Sequence, residues 1–257
     1  MLRYKQELII VKADNLFEGP MKLFLSSTIL ILLVSSGAWA QGEGNKQRKL
    51  LRTSQMILDE IQNSPDQKIP MSLISKAKAI IVFPTMLKAG FFLGGRYGKG
   101  VASIRASDTG KWGPPAFLYT TGASFGFQVG AEAIDLILLV MSQRGLEGLL
   151  NKKFSLGADI AISAGPVGRH AEAATDVFMQ GEIYSYSRSK GVFGGVSLKG
   201  TVITADLDAN LAYYGHRYTS EEILLTKQVL KIPESGNQFI KIFNHLAPPY
   251  KWNKKKK

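Results

Sequence analysis

From residue 91 to residue 105 the chain reads FFLGGRYGKGVASIR, and from residue 116 to residue 129 it reads AFLYTTGASFGFQV. Both stretches are apolar, β-branched and aromatic runs interrupted by glycine, and this texture continues to Tyr214. Such runs predict strands, and glycine inside a strand typically marks a bulge, a bend or a close backbone approach. We therefore predict an α+β fold built on a strongly curved, glycine-rich antiparallel sheet of open or barrel-like form, with helices at both ends.

Turn signals such as Asp108-Thr109-Gly110 separate the predicted strands. The strands are predicted over Ala79–Phe83, Phe91–Leu93, Gly100–Arg105, Ala116–Thr121, Ser124–Val129, Ile134–Val140, Phe154–Ala164, Glu182–Ser187, Val192–Leu198 and Thr201–Leu207. Thr219, followed three residues later by Glu222, forms a capping box that predicts a helix running to Val229. Further helices are predicted over Pro70–Lys76, Arg144–Leu150 and Asn237–Leu246.

The N-terminal part of the chain has the pattern of a signal peptide. Lys22 precedes the apolar run Leu23–Val34, and the small residues Ala38 and Ala40 fit a cleavage site after Ala40. A retained membrane anchor is the alternative, although the run is shorter than the roughly 20 apolar residues of a membrane span. A cleaved leader predicts an exported protein that is periplasmic or peripherally associated with an envelope membrane.

The sequence divides into four predicted parts. Residues 1–40 hold an N-terminal extension and the leader; because mixed charges are unusual ahead of a signal peptide, Met21 is the predicted translation start. An amphipathic helix is predicted within residues 41–66, and the domain core within residues 67–217. Residues 218–257 contain C-terminal helices and a lysine-rich tail, which either binds an anionic membrane surface or is a solvated end.

Composition narrows the function classes. The 257 residues include 32 Lys and Arg against 20 Asp and Glu, which gives a net charge of +12, and no cysteine. The absence of cysteine excludes thiolate metal sites, cysteine nucleophiles and disulfides. A basic chain favours anionic partners, but nucleic acid is not predicted as a partner because an exported protein rarely meets it.

The helix predicted over residues 45–63 has an apolar stripe and a basic N-terminal half. Two interpretations stay open: the stripe packs on the domain core, or the helix lies on a membrane interface. The residues that would face the membrane in the second case are Lys46, Arg48, Lys49, Leu50, Leu51, Arg52, Ile57 and Leu58.

Gly122-Ala123-Ser124-Phe125-Gly126 matches the G-x-S-x-G pattern of a serine hydrolase. In those enzymes a helix follows the serine directly, whereas the residues after Ser124 favour an extended chain. The acid and base would have to come from Asp135 or Asp159 and from His170 or His216. A serine hydrolase that uses Ser124 is therefore kept only as a remote alternative.

Other motifs that bind ligands are incomplete. Gly94–Gly100 lacks the order of a phosphate-binding loop, and the segment from Asp206 lacks the glycine and the glutamate of a calcium loop. Glu132 and Asp135 lie three residues apart on a predicted strand and do not form an acid–base pair. We predict no metal site, no cofactor and no enzymatic activity.

Several segments resemble the SYLF domain family. The most specific is YSYSRSKGVFGGVSL, from Tyr184 to Leu198, which is followed by Tyr213-Tyr214-Gly215. The other matching segments are Lys76–Pro84, Lys88–Val101, Trp112–Phe117, Gly126–Glu132 with Asp135, Gly157–Arg169 with Ala171–Ala173, and Glu222–Leu224 with Pro233. Together they cover most of residues 70–217.

The resemblance implies a lipid-binding module without catalytic activity. Eukaryotic members of the family combine this domain with Src-homology-3 or zinc-finger modules, bind phosphoinositides and, in fungi, bind and bundle actin. Lipid binding in the family involves a basic surface and an N-terminal amphipathic helix, which the segment Lys46–Ile61 resembles. In an exported bacterial protein the anionic lipid would be phosphatidylglycerol or cardiolipin.

We therefore predict a protein that binds anionic phospholipid at an envelope membrane. The predicted head-group ligands are basic residues expected at glycine-rich turns, where backbone N–H groups and a basic side chain can face one phosphate. They are Lys88, Arg96, Lys99, Arg169, Arg188 and Lys190. The alternative is an envelope scaffold that binds a protein, actin-like or other, or a cell-wall polymer.

Overall fold

The computed structural model describes ten segments of the chain: residues 44–64, 68–91, 93–125, 130–151, 153–167, 181–189, 192–194, 198–225, 229 and 231–248. The predicted leader, Arg169, His170, Lys190 and the lysine-rich tail lie outside these residues.

Six helices and nine strands lie in the described residues. The helices are α1 (residues 44–63), α2 (Met71–Lys76), α3 (Gln143–Leu150), α4 (Leu207–Tyr214), α5 (Ser220–Leu224) and α6 (Glu234–Leu246). The strands are β1 (Ala79–Phe91), β2 (Leu93–Ile104), β3 (Ala116–Phe125), β4 (Gly130–Val140), β5 (Lys153–Leu156), β6 (Ile162–Ala164), β7 (Ile183–Ser189), β8 (Val192–Gly194) and β9 (Thr201–Ala205).

The strands form one strongly curled sheet in the order β5-β9-β3-β2-β1-β4-β7-β6, and β8 also pairs with β7. All pairs are antiparallel except β6 with β7, which makes the sheet mixed. The predicted α+β fold, with a curved sheet and helices at both ends, is confirmed. The parallel pair is the one departure from the predicted antiparallel arrangement.

Both faces of the sheet pack against helices because side chains alternate along each strand. On the face that we call the α1 face, Val82 and Ile137 belong to a buried cluster with apolar residues of α1, α2 and α6. On the opposite face, which we call the α3 face, Phe83 and Leu136 pack with α3, α5 and β5. Two hydrophobic layers therefore enclose one half of the sheet. We call this half the proximal half, and the half that extends beyond the two layers the distal half.

A bulge carries β1 past a proline. The register of β1 shifts against both neighbouring strands around Pro84 and Thr85, and Thr85 has a φ of 57°. Positive φ is unfavourable for a β-branched residue. The Thr85 N–H donates to Oδ1 of Asp135 at 3.0 Å, which stabilises the bulge. The predicted end of this strand at Phe83 was therefore wrong, and β1 continues to the tip of a long hairpin.

One buried arginine joins the N-terminal and C-terminal helices to the sheet. Arg105 is 9% exposed, and its guanidinium stacks on the Trp112 ring at 4.2 Å. Its five N–H groups donate to five backbone carbonyl oxygens at 2.7 to 3.3 Å, those of Ile74, Ala77, Gly110, Ala247 and Pro248. Burial lowers the pKa of Arg105 to about 10, so the group stays charged at neutral pH.

Other predicted boundaries were also wrong, and the strand predicted over Phe154–Ala164 is divided into β5 and β6. The strand predicted to reach Leu207 ends at Ala205, because Asp206 caps α4 by accepting from the Ala209 N–H at 3.0 Å. The capping box at Thr219 is confirmed, with both of its hydrogen bonds present, but α5 ends at Leu224. The capping residues determine where these two helices begin, whereas packing determines where they end.

Helix α1 is held on the sheet by its apolar stripe and by an ion-pair network. Arg188 donates to Oδ2 of Asp135 at 2.9 and 2.5 Å and also contacts Glu60 of α1. Beneath the helix, Gln47 Oε1 and Ser54 Oγ are buried without a hydrogen-bond partner in the described part of the chain. Each such atom costs about 1–3 kcal/mol, so the apolar stripe and the ion pairs must offset this cost.

Replacing Gly100 with alanine is expected to lower the free energy of unfolding by about 1–3 kcal/mol. The added Cβ would lie 2.3 Å from Cδ1 of Phe83 and 2.7 Å from the Val82 carbonyl oxygen. Urea denaturation would measure the change. The control is Gly95→Ala on the same strand, where a Cβ meets nothing within 4 Å. Equal effects of the two variants would contradict the packing described for the α3 face.

Asp135→Asn is expected to lower the free energy of unfolding by about 1–3 kcal/mol, because it weakens the partner of a half-buried guanidinium. The side chains of Asp135 and Arg188 are 17% and 22% exposed. Asp208→Asn removes an ion pair of similar length, 2.6 Å to Arg217, from an exposed site and should cost less than about 0.5 kcal/mol. Chemical denaturation would measure the free energy of unfolding of both variants. Equal losses would contradict the ion-pair network described for Asp135 and Arg188.

Candidate functional site

The predicted head-group ligands do not converge on one turn. Lys88 lies in β1, Arg96 and Lys99 lie in β2, and Arg188 lies in β7. The expectation that these four residues occupy glycine-rich turns was therefore wrong. At the distal end of the hairpin of β1 and β2, Phe91 pairs with Leu93. Because side chains alternate between the two faces along each strand, Lys88 and Arg96 lie on the α3 face, whereas Lys99 and Arg188 lie on the α1 face.

Lys88 and Arg96 belong to a polar row that crosses the α3 face. They are direct cross-strand neighbours, and Lys88 Nζ lies 3.5 Å from Oε2 of Glu132. Glu132 also accepts from the Ser189 hydroxyl at 2.6 Å, and Arg96 Nη1 donates to Oγ1 of Thr201 at 2.9 Å. Burial lowers the pKa of Arg96. An anion that binds Lys88 would have to displace the carboxylate of Glu132.

Lys99 pairs with Asp206, which lies in the wall of a small cavity. Its Nζ contacts Oδ2 of Asp206 at 3.1 Å, and the same carboxylate caps α4. The cavity, of about 370 Å³, contains Asp206, Asp208 and Arg217 in its wall. Because two carboxylates line it, this cavity is unsuited to a free phosphate group.

Arg188 is engaged on the α1 face with Asp135 and Glu60. An anion could reach this guanidinium only by displacing one of these carboxylates. Displacement of Glu60 would also loosen α1. Arg188 is therefore placed to connect anion binding with the position of the helix.

Helix α1 divides into a buried apolar side and an exposed basic side. Leu51, Ile57 and Leu58 are buried in the core cluster, and Leu50 packs partly against it. The basic residues that were grouped with them all lie on the exposed side, namely Lys46, Arg48, Lys49 and Arg52. The first interpretation, in which the stripe packs on the core, describes this conformation, and the folded domain presents the basic side to solvent.

Ser124, the nucleophile of the remote hydrolase alternative, does not lie on a strand-to-helix turn. It lies inside β3, paired with Gly94, and Phe125 continues the strand. Asp135 binds Arg188 and Thr85, while Asp159 Oδ2 accepts from the Ser155 N–H at 2.7 Å. The strand-to-helix turn that exposes a nucleophilic serine is therefore not formed.

Among the described residues, no group of three or more His, Asp or Glu side chains is placed to hold a metal ion. None of the helices in this part of the chain is both long enough and apolar enough to cross a membrane.

Sequence reasoning missed two groups of residues. Glu60 and Asp135 are the acidic partners of Arg188, and their distance in sequence hides the contact. Leu87 and Tyr97 are exposed cross-strand neighbours in the distal half of the sheet. Pro84 inside an apolar run signals a bulge and was the available clue that β1 continues beyond Phe83.

The chain matches a family model whose description refers to actin regulation. A family model described as Ysc84, Las17-binding protein actin regulator, matches residues 121–246. Protein YSC84 of Saccharomyces cerevisiae is 34% identical over 210 residues, covering 80% of this chain and 44% of that protein. LAS seventeen-binding protein 3 of the same species is 38% identical over 162 residues, covering 62% of this chain and 35% of that protein.

A human relative extends the match to animals. SH3 domain-containing YSC84-like protein 1 of Homo sapiens is 31% identical over 185 residues, covering 72% of this chain and 53% of that protein. The chain thus spans about half the length, or less, of these three relatives. The family model covers those segments of the resemblance that lie between Gly126 and Pro233, and the chain belongs to the Ysc84/SYLF family.

Proposed function

We propose that this protein binds anionic phospholipid at an envelope membrane and does so without catalysis. The observation that carries the proposal is the exposed basic side of α1. Lys46, Arg48, Lys49 and Arg52 face solvent on a helix whose apolar side is docked in the core. An anionic bilayer is the large, negatively charged surface that an exported protein meets.

The position of these charges supports a binding role. They lie close together, between residues 46 and 52, and all four side chains are exposed. A basic residue near an anionic membrane contributes about 1 kcal/mol of attraction, and the net charge of +12 adds long-range attraction.

Head-group binding precedes any insertion of α1 in this proposal. The apolar side chains Leu51, Ile57 and Leu58 become available only if the helix leaves the sheet, and the contact of Glu60 with Arg188 opposes that step. A lipid phosphate that replaces Glu60 at Arg188 would remove this restraint. Lys88, Arg96 and Lys99 are secondary head-group ligands, because Glu132 and Asp206 already pair with the two lysines.

Binding of a protein partner is the second candidate function. The names of the relatives favour it, since they refer to Las17 binding and the family description refers to actin regulation. In an exported protein the corresponding role would be that of an envelope scaffold, with a protein or a cell-wall polymer as its partner.

Changing Lys46, Arg48, Lys49 and Arg52 together to glutamine is expected to weaken binding to anionic vesicles by about 100-fold or more, at about 1 kcal/mol for each charge. The measurement is co-sedimentation with phosphatidylcholine vesicles, with and without phosphatidylglycerol, at low and high salt. Wild-type protein should bind only the anionic vesicles and should bind less at high salt.

The matched control removes the same number of charges from other exposed positions, Lys111, Lys153, Lys231 and Lys241. This variant should retain most of the binding, because only long-range attraction changes. Equal losses in both variants would show that net charge alone attracts the protein. If wild-type protein stays in the supernatant under every condition, the lipid proposal is wrong and a protein or polymer partner is to be sought.

A further inference from the structure

The distal half of the α1 face carries an exposed surface without charge. Four adjacent strands, β3, β2, β1 and β4, contribute two transverse rows to it. The register aligns Thr121, Tyr97, Leu87 and Ala133 in one row and Ala123, Gly95, Ala89 and Ala131 in the next. All eight residues are exposed, and we call this surface the distal plate.

The distal plate is the uncovered continuation of the face on which α1 packs. Tyr97 and Ala133 are each four residues along the strand from Val101 and Ile137, which belong to the buried cluster beneath α1. Leu87 follows Met86, which belongs to the opposite cluster. The helices therefore cover the proximal half of this face and leave the distal half open.

The two faces of the distal half differ in charge. On the α3 face, the row that follows Leu87 and Tyr97 contains Lys88, Arg96 and Glu132. On the α1 face no charged residue lies in the distal plate, and its two large apolar side chains, Leu87 and Tyr97, are 52% and 47% exposed. A sheet face that only meets water typically carries polar residues, so this composition calls for a partner.

The ends of the hairpins extend the same pattern. Two residues beyond the distal plate, the register pairs Leu93 with Phe91 on one side and with Phe125 on the other. Large apolar residues thus occupy the last row of three strands. The distal plate is therefore an uncharged surface, and Lys99, Asp135 and Arg188 lie on the same face at its proximal border.

Two arguments identify the occupant. Four strands spaced by about 4.8 Å and two rows about 7 Å apart give a footprint of roughly 270 Å², well below the roughly 800 Å² that each partner of a stable protein complex buries. The charge of +12 also repels a second copy of the chain but attracts an anionic bilayer. A bilayer requires no minimum area from a single site.

We propose that the distal plate is the surface on which the folded domain enters the interface of an anionic bilayer. This inference rests on the proposed function and specifies the element that enters the lipid while α1 stays docked. Leu87 enters the boundary between head groups and acyl chains. Tyr97 lies at the same level, where amphipathic rings are favoured.

The first test removes the exposed apolar pair. The double variant Leu87→Ser and Tyr97→Ser should bind vesicles of phosphatidylcholine and phosphatidylglycerol about tenfold more weakly than wild type, because two apolar side chains no longer enter the lipid. The control is Leu211→Ser with Ile242→Ser, a pair that is 43% and 37% exposed on α4 and α6. Its binding should stay within about twofold of wild type, since neither residue lies in the distal plate.

The second test measures depth directly. Because the chain has no cysteine, Ala89→Cys supplies a unique labelling site for an environment-sensitive fluorophore in the distal plate. On the same vesicles its emission should shift to the blue and be quenched by brominated acyl chains. The control is Ala158→Cys, at an exposed turn that is not part of the distal plate. The label at this position should remain in water.

The outcomes separate the two proposals. If wild type binds anionic vesicles, but the double serine variant binds equally well and the Ala89 label stays in water, this inference is wrong and the proposed function stands. If wild type does not bind, both fail. If free wild type is a dimer in analytical ultracentrifugation and the double serine variant is a monomer, the distal plate is a self-association surface, and this inference is overturned.

Discussion

The fold depends on how a buried positive charge is satisfied without a buried acid. Arg105 donates its five N–H groups to carbonyl oxygens of α2, of the segment before β1, of the β2–β3 connection and of the chain after α6. A desolvated guanidinium with missing acceptors would be costly, so these segments must converge around it. This convergence joins both ends of the domain to the proximal edge of the sheet.

The long hairpins follow from that anchoring. The apolar clusters and Arg105 hold the proximal half of the sheet, while the distal half extends beyond the helices. The bulge at Thr85 lets β1 continue past Pro84, and Asp135 stabilises it. The same carboxylate pairs with Arg188, so the geometry of the distal strands and the docking of α1 share one acidic group.

The exposed basic surface and the exposed apolar surface of the sheet lie on different elements of the fold. The basic side of α1 is exposed in the folded domain, whereas its apolar side is part of the core. An amphipathic pattern indicates only that a helix has two unlike sides, and it does not tell which of them meets solvent. On the strands, the large apolar side chains of Leu87 and Tyr97 are exposed in the folded domain.

Local patterns in the sequence determined the strand-rich α+β class, the helix that ends at Asn63, the capping box at Thr219 and the family, because each depends on neighbouring residues. Interactions between residues distant in sequence were decided only by the tertiary structure. The contacts of Arg188 with Glu60 and Asp135 span 128 and 53 residues, and the acceptors of Arg105 come from both ends of the domain. The predicted head-group ligands were chosen by local glycine content, whereas strand register places them on opposite faces beside carboxylates. Exposure of the distal plate depends on where α1 stops covering the sheet, and that boundary is set by packing.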